Sequence, residues 1–294
     1  MLILALIFVS VFQSYGPPAK IANLKNPAIN ESSGLAASRL NANVYWTHND
    51  SGDGPFVYAF DSTGTSRGVF RVAGAQARDW EDMAIGPGPE RSRSYLYLGD
   101  IGDNEEKRDD IVVYRVAEPT LTAADKALTK DKPGTTRPAE TIRLRYPDGK
   151  HDAETLLVHP ATGNLYVVTK VMLRNATVYE AAAPLVAGPV ITLKRISEIR
   201  IPSLIGGAVT GGSISPDGRR VAFCDYLQGY EAALPAASKN FDDIWKQKIT
   251  GFNLGQREQG EAITYRADGK ALLATSEGKS PPLLQVERRL SKSQ

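Results

Sequence analysis

Hydrophobic positions along this chain come in short bursts. Runs of four to six residues rich in Val, Tyr, Ile and Thr are closed by Gly, Pro, Asn or Asp, the pattern of β-strands joined by tight turns. The bursts also pair up. Five times, a small or acidic lead-in is followed by an apolar strand, a turn and a second apolar strand. The units read ESSGLAAS then NVYWTHND from Glu31, DWEDMAIGP then SYLYLGDIGDN from Asp79, and DAETLLVHPATG then NLYVVTK from Asp152. TGGSISPDG then RRVAFCDY follows from Thr210, and QGEAITYRADG then KALLATSEG from Gln259. Equivalent positions Gly34, Asp82, Thr155, Ser213 and Ala262 are 48, 73, 58 and 49 residues apart. The turns ATGN, PDGR and ADGK offer Gly or Asn where positive φ is needed.

Each unit runs on into further strand-like segments, such as FVYAFDSTG with RGVFRVAG, or DIVVYRVAE with ETIRLRY. Four antiparallel strands per unit, repeated in a ring, predict an all-β chain folded as a β-propeller. Five blades are expected. The last unit ends in PLLQVERRL without a fourth strand, and AKIANLKN near the start supplies one, so an N-terminal strand would close the last blade. The 73-residue spacing leaves room for a sixth blade; it reads instead as a loop plus a helix. Helices are expected at 121–130 (LTAADKALTK), stopped by Pro133, and around 241–247 (FDDIWKQ). A β-sandwich with long loops is the alternative architecture.

In a propeller, the lead-in to each innermost strand and the exit from the second strand meet at one mouth of the central channel. The lead-ins bring Glu31, Asp79, Asp152, Thr210 and Gln259, and two places on Ser33, Glu81, Glu154, Gly212 and Glu261. The exits bring His48-Asn49-Asp50, Asp100 with Asp103-Asn104, Thr169-Lys170, Asp225 and Ser276-Glu277. Nearly every unit thus sends acid to the same mouth. Between Asp79 and Asp110 alone there are ten acidic and four basic residues. Crowded carboxylates raise one another's pKa and cost stability unless a cation joins them. Oxygen donors without His or Cys suit Ca²⁺ better than Zn²⁺. Glu31, Asn49, Asp50, Asp79, Glu81, Asp100, Asp103, Glu154 and Glu261 are the candidate ligands. The same acids could equally bind backbone N–H groups and stitch blades together. The stretch from Asn49 to Gly54 (NDSGDG) matches the first half of an EF-hand loop but has Phe60 at the twelfth position. Glu81, Glu154, His48 and Lys170 are candidate catalytic groups, and Arg78, His151 and Lys170 candidate holders of a substrate anion.

Composition narrows the field. The 294 residues are 42% hydrophobic and carry a net charge of +2, so no overall attraction to nucleic acid is expected. The single cysteine, Cys224, excludes a disulfide framework, and three histidines leave little room for a His-rich metal centre. Residues 2–12 (LILALIFVSVF) are too few to span a bilayer and fit the apolar stretch of a signal peptide, although no Lys or Arg precedes them. Residues 1–16 are therefore expected to be removed on export, leaving 17–294 as one secreted or periplasmic domain without an integral membrane segment. An uncleaved anchor is the competing reading. The domain is expected to act as a monomer.

The segments ESSGLAAS, WTHNDSG, RDWEDMAIGP, YLYLGDIGDN, DAETLLVHP and TGGSISPDGRRV resemble a group of secreted bacterial propeller proteins, over residues 30 to 280. GEAITY and SEG look more distantly like phytase-like esterase propellers. The channel acids are similar to those of calcium-dependent lactonases and phosphotriesterases. That resemblance implies a channel-bound Ca²⁺ held at Glu81, Glu154, Glu261, Asn49 and Asp100, with phosphoester or lactone hydrolysis as the activity. Gly212 stands where the fourth unit would need an acid. A non-catalytic propeller that binds a carbohydrate, peptide or protein remains the other reading.

Overall fold

Repeated strand pairs need a ring to bury both of their faces, and the chain builds one. The computed structural model describes residues 15–289. It is a five-bladed β-propeller with almost no helix. The innermost strands are Ser32–Ala37, Trp80–Pro87, Ala153–Val158, Gly211–Ile214 and Gly260–Tyr265. Each packs against the innermost strands of the two flanking blades, which closes the ring. The fifth blade is completed by Ala19–Asn23, which pairs antiparallel with Pro282–Glu287, so the two ends of the chain are locked side by side as expected.

The 73-residue interval holds no sixth blade. It contains the remaining strands of the second blade, Ser94–Asp100, Ile111–Ala117 and Glu140–Arg145, and an excursion that leans on the first blade. From that excursion Gly134–Thr135 adds in parallel to Ser66–Arg71. The helix expected at 121–130 is a single 3₁₀ turn, Ala124–Ala127, that buries no residue and so has no apolar face to sustain a longer helix. The helix expected at 241–247 is also a 3₁₀ turn, Phe241–Lys246. It buries Phe241, Ile244 and Trp245, a spacing of about three that suits that geometry.

The core is five wedges, one between each pair of adjacent blades. Trp46 and Trp80 fill the wedge between blades one and two, and Trp245 that between three and four. Cys224 is buried between blades four and five. Tyr15 and Gly16, assigned above to the leader, are built into this last wedge. Tyr15 stacks on Phe252 and its hydroxyl donates to Glu231 Oε1 at 2.5 Å, while the Gly16 N–H donates to the Glu287 carbonyl. The folded domain therefore begins no later than Tyr15; the rest of the expected signal segment lies outside the described residues.

On the channel axis a single carboxylate joins three blades. Asp82 is fully buried, and its oxygens accept from Met83 N (2.7 Å), Leu156 N (3.0 Å) and Gly212 N (3.2 Å). Beyond it, the far mouth is a narrow apolar space of about 60 Å³ between all five innermost strands, lined by residues such as Ala37, Ile85 and Tyr265. No helix among the described residues is long and apolar enough to cross a membrane.

Candidate metal centre at the channel mouth

Three innermost strands break register with their neighbours at one place, and each break releases a glutamate. Trp80 pairs with Asp100 and Asp82 with Gly99, which leaves Glu81 as the extra residue of a β-bulge. The same happens at Glu154, between the pairs Ala153–Thr169 and Thr155–Val168, and at Glu261, between Gly260–Ser276 and Ala262–Thr275. A bulge re-aims a side chain and ends regular pairing, and here it sends each carboxylate to the lead-in end of the channel. In the first blade the corresponding shift falls at Ser33 and Gly34, and the Ser33 hydroxyl donates to the Glu81 carbonyl. The fourth blade has no shift. A β-carbon on Gly211 would overlap the Glu261 carbonyl, and one on Gly212 would press on Thr155 at 2.8 Å, so close approach of the strands demands glycine where an acid was missing.

The mouth is therefore crowded with acid. One carboxylate oxygen each from Asp50, Asp79 and Glu81 lie within 4.8 Å of one another. Burial, then Glu154, Asp50, Asp79 and Asp152, push Glu81 well above the usual carboxylate range. Burial and Glu261 raise Glu154 to about 8 against the pull of Lys170. Burial raises Glu261 to about 7 although Gln259 Nε2 donates to it at 2.9 Å. Burial and Asp50 raise Asp79 to about 6. Asp152 and Glu277 are raised as well, first by burial, with Asp50 and Glu31 acting further on Glu277. Glu154 is only 5% exposed, yet its Oε2 has no hydrogen-bond partner.

The Lys170 ammonium stands among these groups. Lys170 pairs with Glu154 and lies 5.2 Å from the centre of the Tyr226 ring. Burial works against its ammonium, but Glu154 outweighs it and holds the pKa above the ordinary value. Tyr226 was not singled out from sequence, because only the folded ring brings it to Lys170; Gln259 was placed among the lead-ins but not as a donor to Glu261.

Other expected ligands have their oxygens in use. Asn49 Oδ1 accepts from Asn30 N and Glu31 N, and its Nδ2 donates to the Ala28 carbonyl. Asp100 accepts from Arg78 N and Asp79 N and forms a buried 2.8 Å ion pair with Arg108. Asp103 accepts from Lys107 N and Arg108 N. These three brace the loops around the mouth. Glu31 bridges Glu277 at the rim. In the EF-hand-like stretch, Asp53 is held by Lys130 and the Tyr58 hydroxyl, apart from the acid cluster.

His48 sits beneath the mouth, fully buried edge-on to Trp80, with Nδ1 2.8 Å from the Asn49 carbonyl. Burial holds its pKa below the ordinary value, so it is neutral at neutral pH. Arg78 is exposed at the rim. His151 belongs to a cleft of about 850 Å³ beside the mouth, which it lines with Asp152, Lys170 and Arg174. Its Nε2 is 3.0 Å from Asp148 Oδ1 and 3.0 Å from the Tyr179 hydroxyl.

The donor set fits a hard divalent cation. Three carboxylates meet at one point, Glu81 buried and Asp50 and Asp79 half-buried, and nearby the buried Glu154 Oε2 is left without a donor, a cost that a neighbouring cation would lessen. Gly102 leaves the space: a β-carbon there would overlap the carboxylates of Glu81 and Asp79. Its backbone has no positive φ, so alanine is tolerated locally. Gly102→Ala is expected to displace these two carboxylates and to weaken whatever Ca²⁺ binding isothermal titration finds for the parent, while melting within about 3 °C of it.

No family model matches the chain, and no curated protein matches it either.

Proposed function

We propose that the acidic mouth holds Ca²⁺ and that this propeller is an exported, metal-dependent hydrolase of phosphoesters or lactones. The observation that carries the reading is the convergence of Asp50, Asp79 and Glu81 next to the buried Glu154, whose Oε2 has no donor, beside a cleft lined by Lys170, His151 and Arg174. Asp50, Asp79 and Glu81 would hold the ion, with Glu154 and Glu261 completing its negative surroundings. When bound, such an ion acts as a Lewis acid toward a phosphoryl or carbonyl oxygen. Lys170, already beside Glu154, orients an anionic group at the edge of the mouth. His151 is held by Asp148 and Tyr179, so a proton on Nε2 leaves Nδ1 as an acceptor at the cleft. The bracing roles of Asn49, Asp100 and Asp103 support the second reading, a metal-stabilised propeller that binds without catalysis.

The test is a melting curve in EDTA and in millimolar Ca²⁺, followed by phosphomonoester, phosphotriester and lactone panels. An ion present at a hundredfold excess over its Kd stabilises by about 2.7 kcal/mol, a rise of roughly 5–10 °C for a domain of this size. Glu81→Gln should remove most of that rise. An equal rise in the variant, or none in the parent, sinks the metal site. A lost rise in the variant with no chelator-sensitive turnover on any panel leaves the binding propeller.

A further inference from the structure

The rim around the acidic mouth carries a feature that the cation site does not use. Of seven large apolar side chains exposed among the described residues, four lie on this face: Met172, Leu173, Leu204 and Leu227. Leu204 is 88% and Leu173 76% exposed. All four sit on loops of blades three and four, whereas Leu40 and Val186 occupy turns of the opposite face.

These loops are built rather than loose. Val171–Met172 pairs antiparallel with Gly206–Gly207, the Leu173 N–H donates to the Ile205 carbonyl at 3.0 Å, and the Gly207 N–H donates to the Arg174 carbonyl at 2.7 Å. Leu173 takes φ 58°, a conformation that bulky residues rarely adopt and that the pairing imposes. The Ser203 hydroxyl donates to Asp225 Oδ2 at 2.5 Å, and Asp225 Oδ1 accepts from Leu227 N at 2.8 Å, so one carboxylate ties the Leu204 loop to the Leu227 turn. Ordered backbone thus holds these apolar side chains out in water on one face of the ring.

Two cations lie beside them without an acidic partner. Arg174 and Arg200 flank the paired segment, both exposed and neither ion-paired among the described residues, whereas Arg195 on the adjoining outer strand is matched by Asp148 and Glu198. Arg257 and Lys279 line a groove with Leu227, together with Glu258. Projecting leucines flanked by the unpaired Arg174 and Arg200 match a lipid surface, where the chains accept the leucines and anionic headgroups the cations.

We infer that this sector of the rim docks on an anionic lipid surface. The test is co-sedimentation of the protein with vesicles of phosphatidylcholine alone and of equal parts phosphatidylcholine and phosphatidylglycerol. EDTA is present throughout, so that no Ca²⁺ can bridge the channel acids to lipid phosphate. The protein should pellet with the anionic vesicles and much less with the neutral ones. Leu173→Ser with Leu204→Ser should weaken binding at least about tenfold, because each leucine loses its burial in the lipid. Arg174→Glu with Arg200→Glu should abolish the preference for the anionic vesicles. Both pairs lie on the surface, and an unchanged melting curve confirms that each variant is folded. Absence of binding to either vesicle overturns the inference, as does unaltered binding by the leucine variant. A protein dimer that the leucine substitutions dissolve overturns it too, since the occupant is then a second copy.

Discussion

Replacing Asp82 with alanine lowers the unfolding free energy by about 3–5 kcal/mol, read by urea denaturation. The size follows from where the carboxylate sits. Its two oxygens serve the N–H groups of Met83, Leu156 and Gly212, which come from three different blades, and all are shut away from water. Alanine leaves three buried donors without a partner, and a methyl group cannot draw the innermost strands back together. Asparagine keeps one acceptor oxygen and should cost less. A loss below about 1 kcal/mol for alanine would show that the ring is held by its wedges alone.

The second large effect is an unusual dependence on pH. Carboxylates usually stabilise a fold as they ionise, but those at this mouth do the reverse. Glu154 at about 8, Glu261 at about 7 and Asp79 at about 6 hold protons in the folded protein that the unfolded chain has already released. Asp82, raised well above its ordinary value by burial, acts in the same direction. Where the native state binds more protons, stability falls as pH rises. The metal-free protein should therefore be most stable near pH 5 and lose on the order of 4 kcal/mol by pH 8, with the half-exposed Asp79 contributing least because solvent screens it. Saturating Ca²⁺ should flatten the slope by favouring the ionised forms. Melting temperatures across that range, with EDTA and with Ca²⁺, check both statements. A metal-free curve that climbs with pH would contradict the crowding of charge at the mouth.

The ring and the convergence of acids on one rim were legible in the sequence because both follow from a repeat. Lead-in, strand, turn and strand recur with Gly, Asp and Pro at fixed places, and the geometry of a blade turns that recurrence into a shared mouth. The repeat could not say what each acid does there. Asp100 and Asp103 share the exit pattern that suggested ligands, yet backbone N–H groups and Arg108 occupy their oxygens. Those donors lie on loops whose course no periodicity records. Glu81, Glu154 and Glu261 reach the channel because each is the extra residue of a bulge, and a bulge is a mismatch between two strands rather than a property of either one. Asp82 looked like one more acid of DWEDMAIGP, and its partners 74 and 130 residues away became visible only in the folded ring. The two short helices failed for a simpler reason: sequence suggested helix formers, but one segment has no apolar face and the other packs three residues at a time.

Closure of the fifth blade by both ends of the chain sets an order of assembly. Ala19–Asn23 emerges first during synthesis and has no partner until Pro282–Glu287 follows, so a nascent chain is an open arc whose final side is missing. Glu261 and Glu277 arrive with that side. The proposed cation could find its complete surroundings only once Pro282–Glu287 has been made, and removing either of the two paired strands would forfeit the acidic mouth together with the circle.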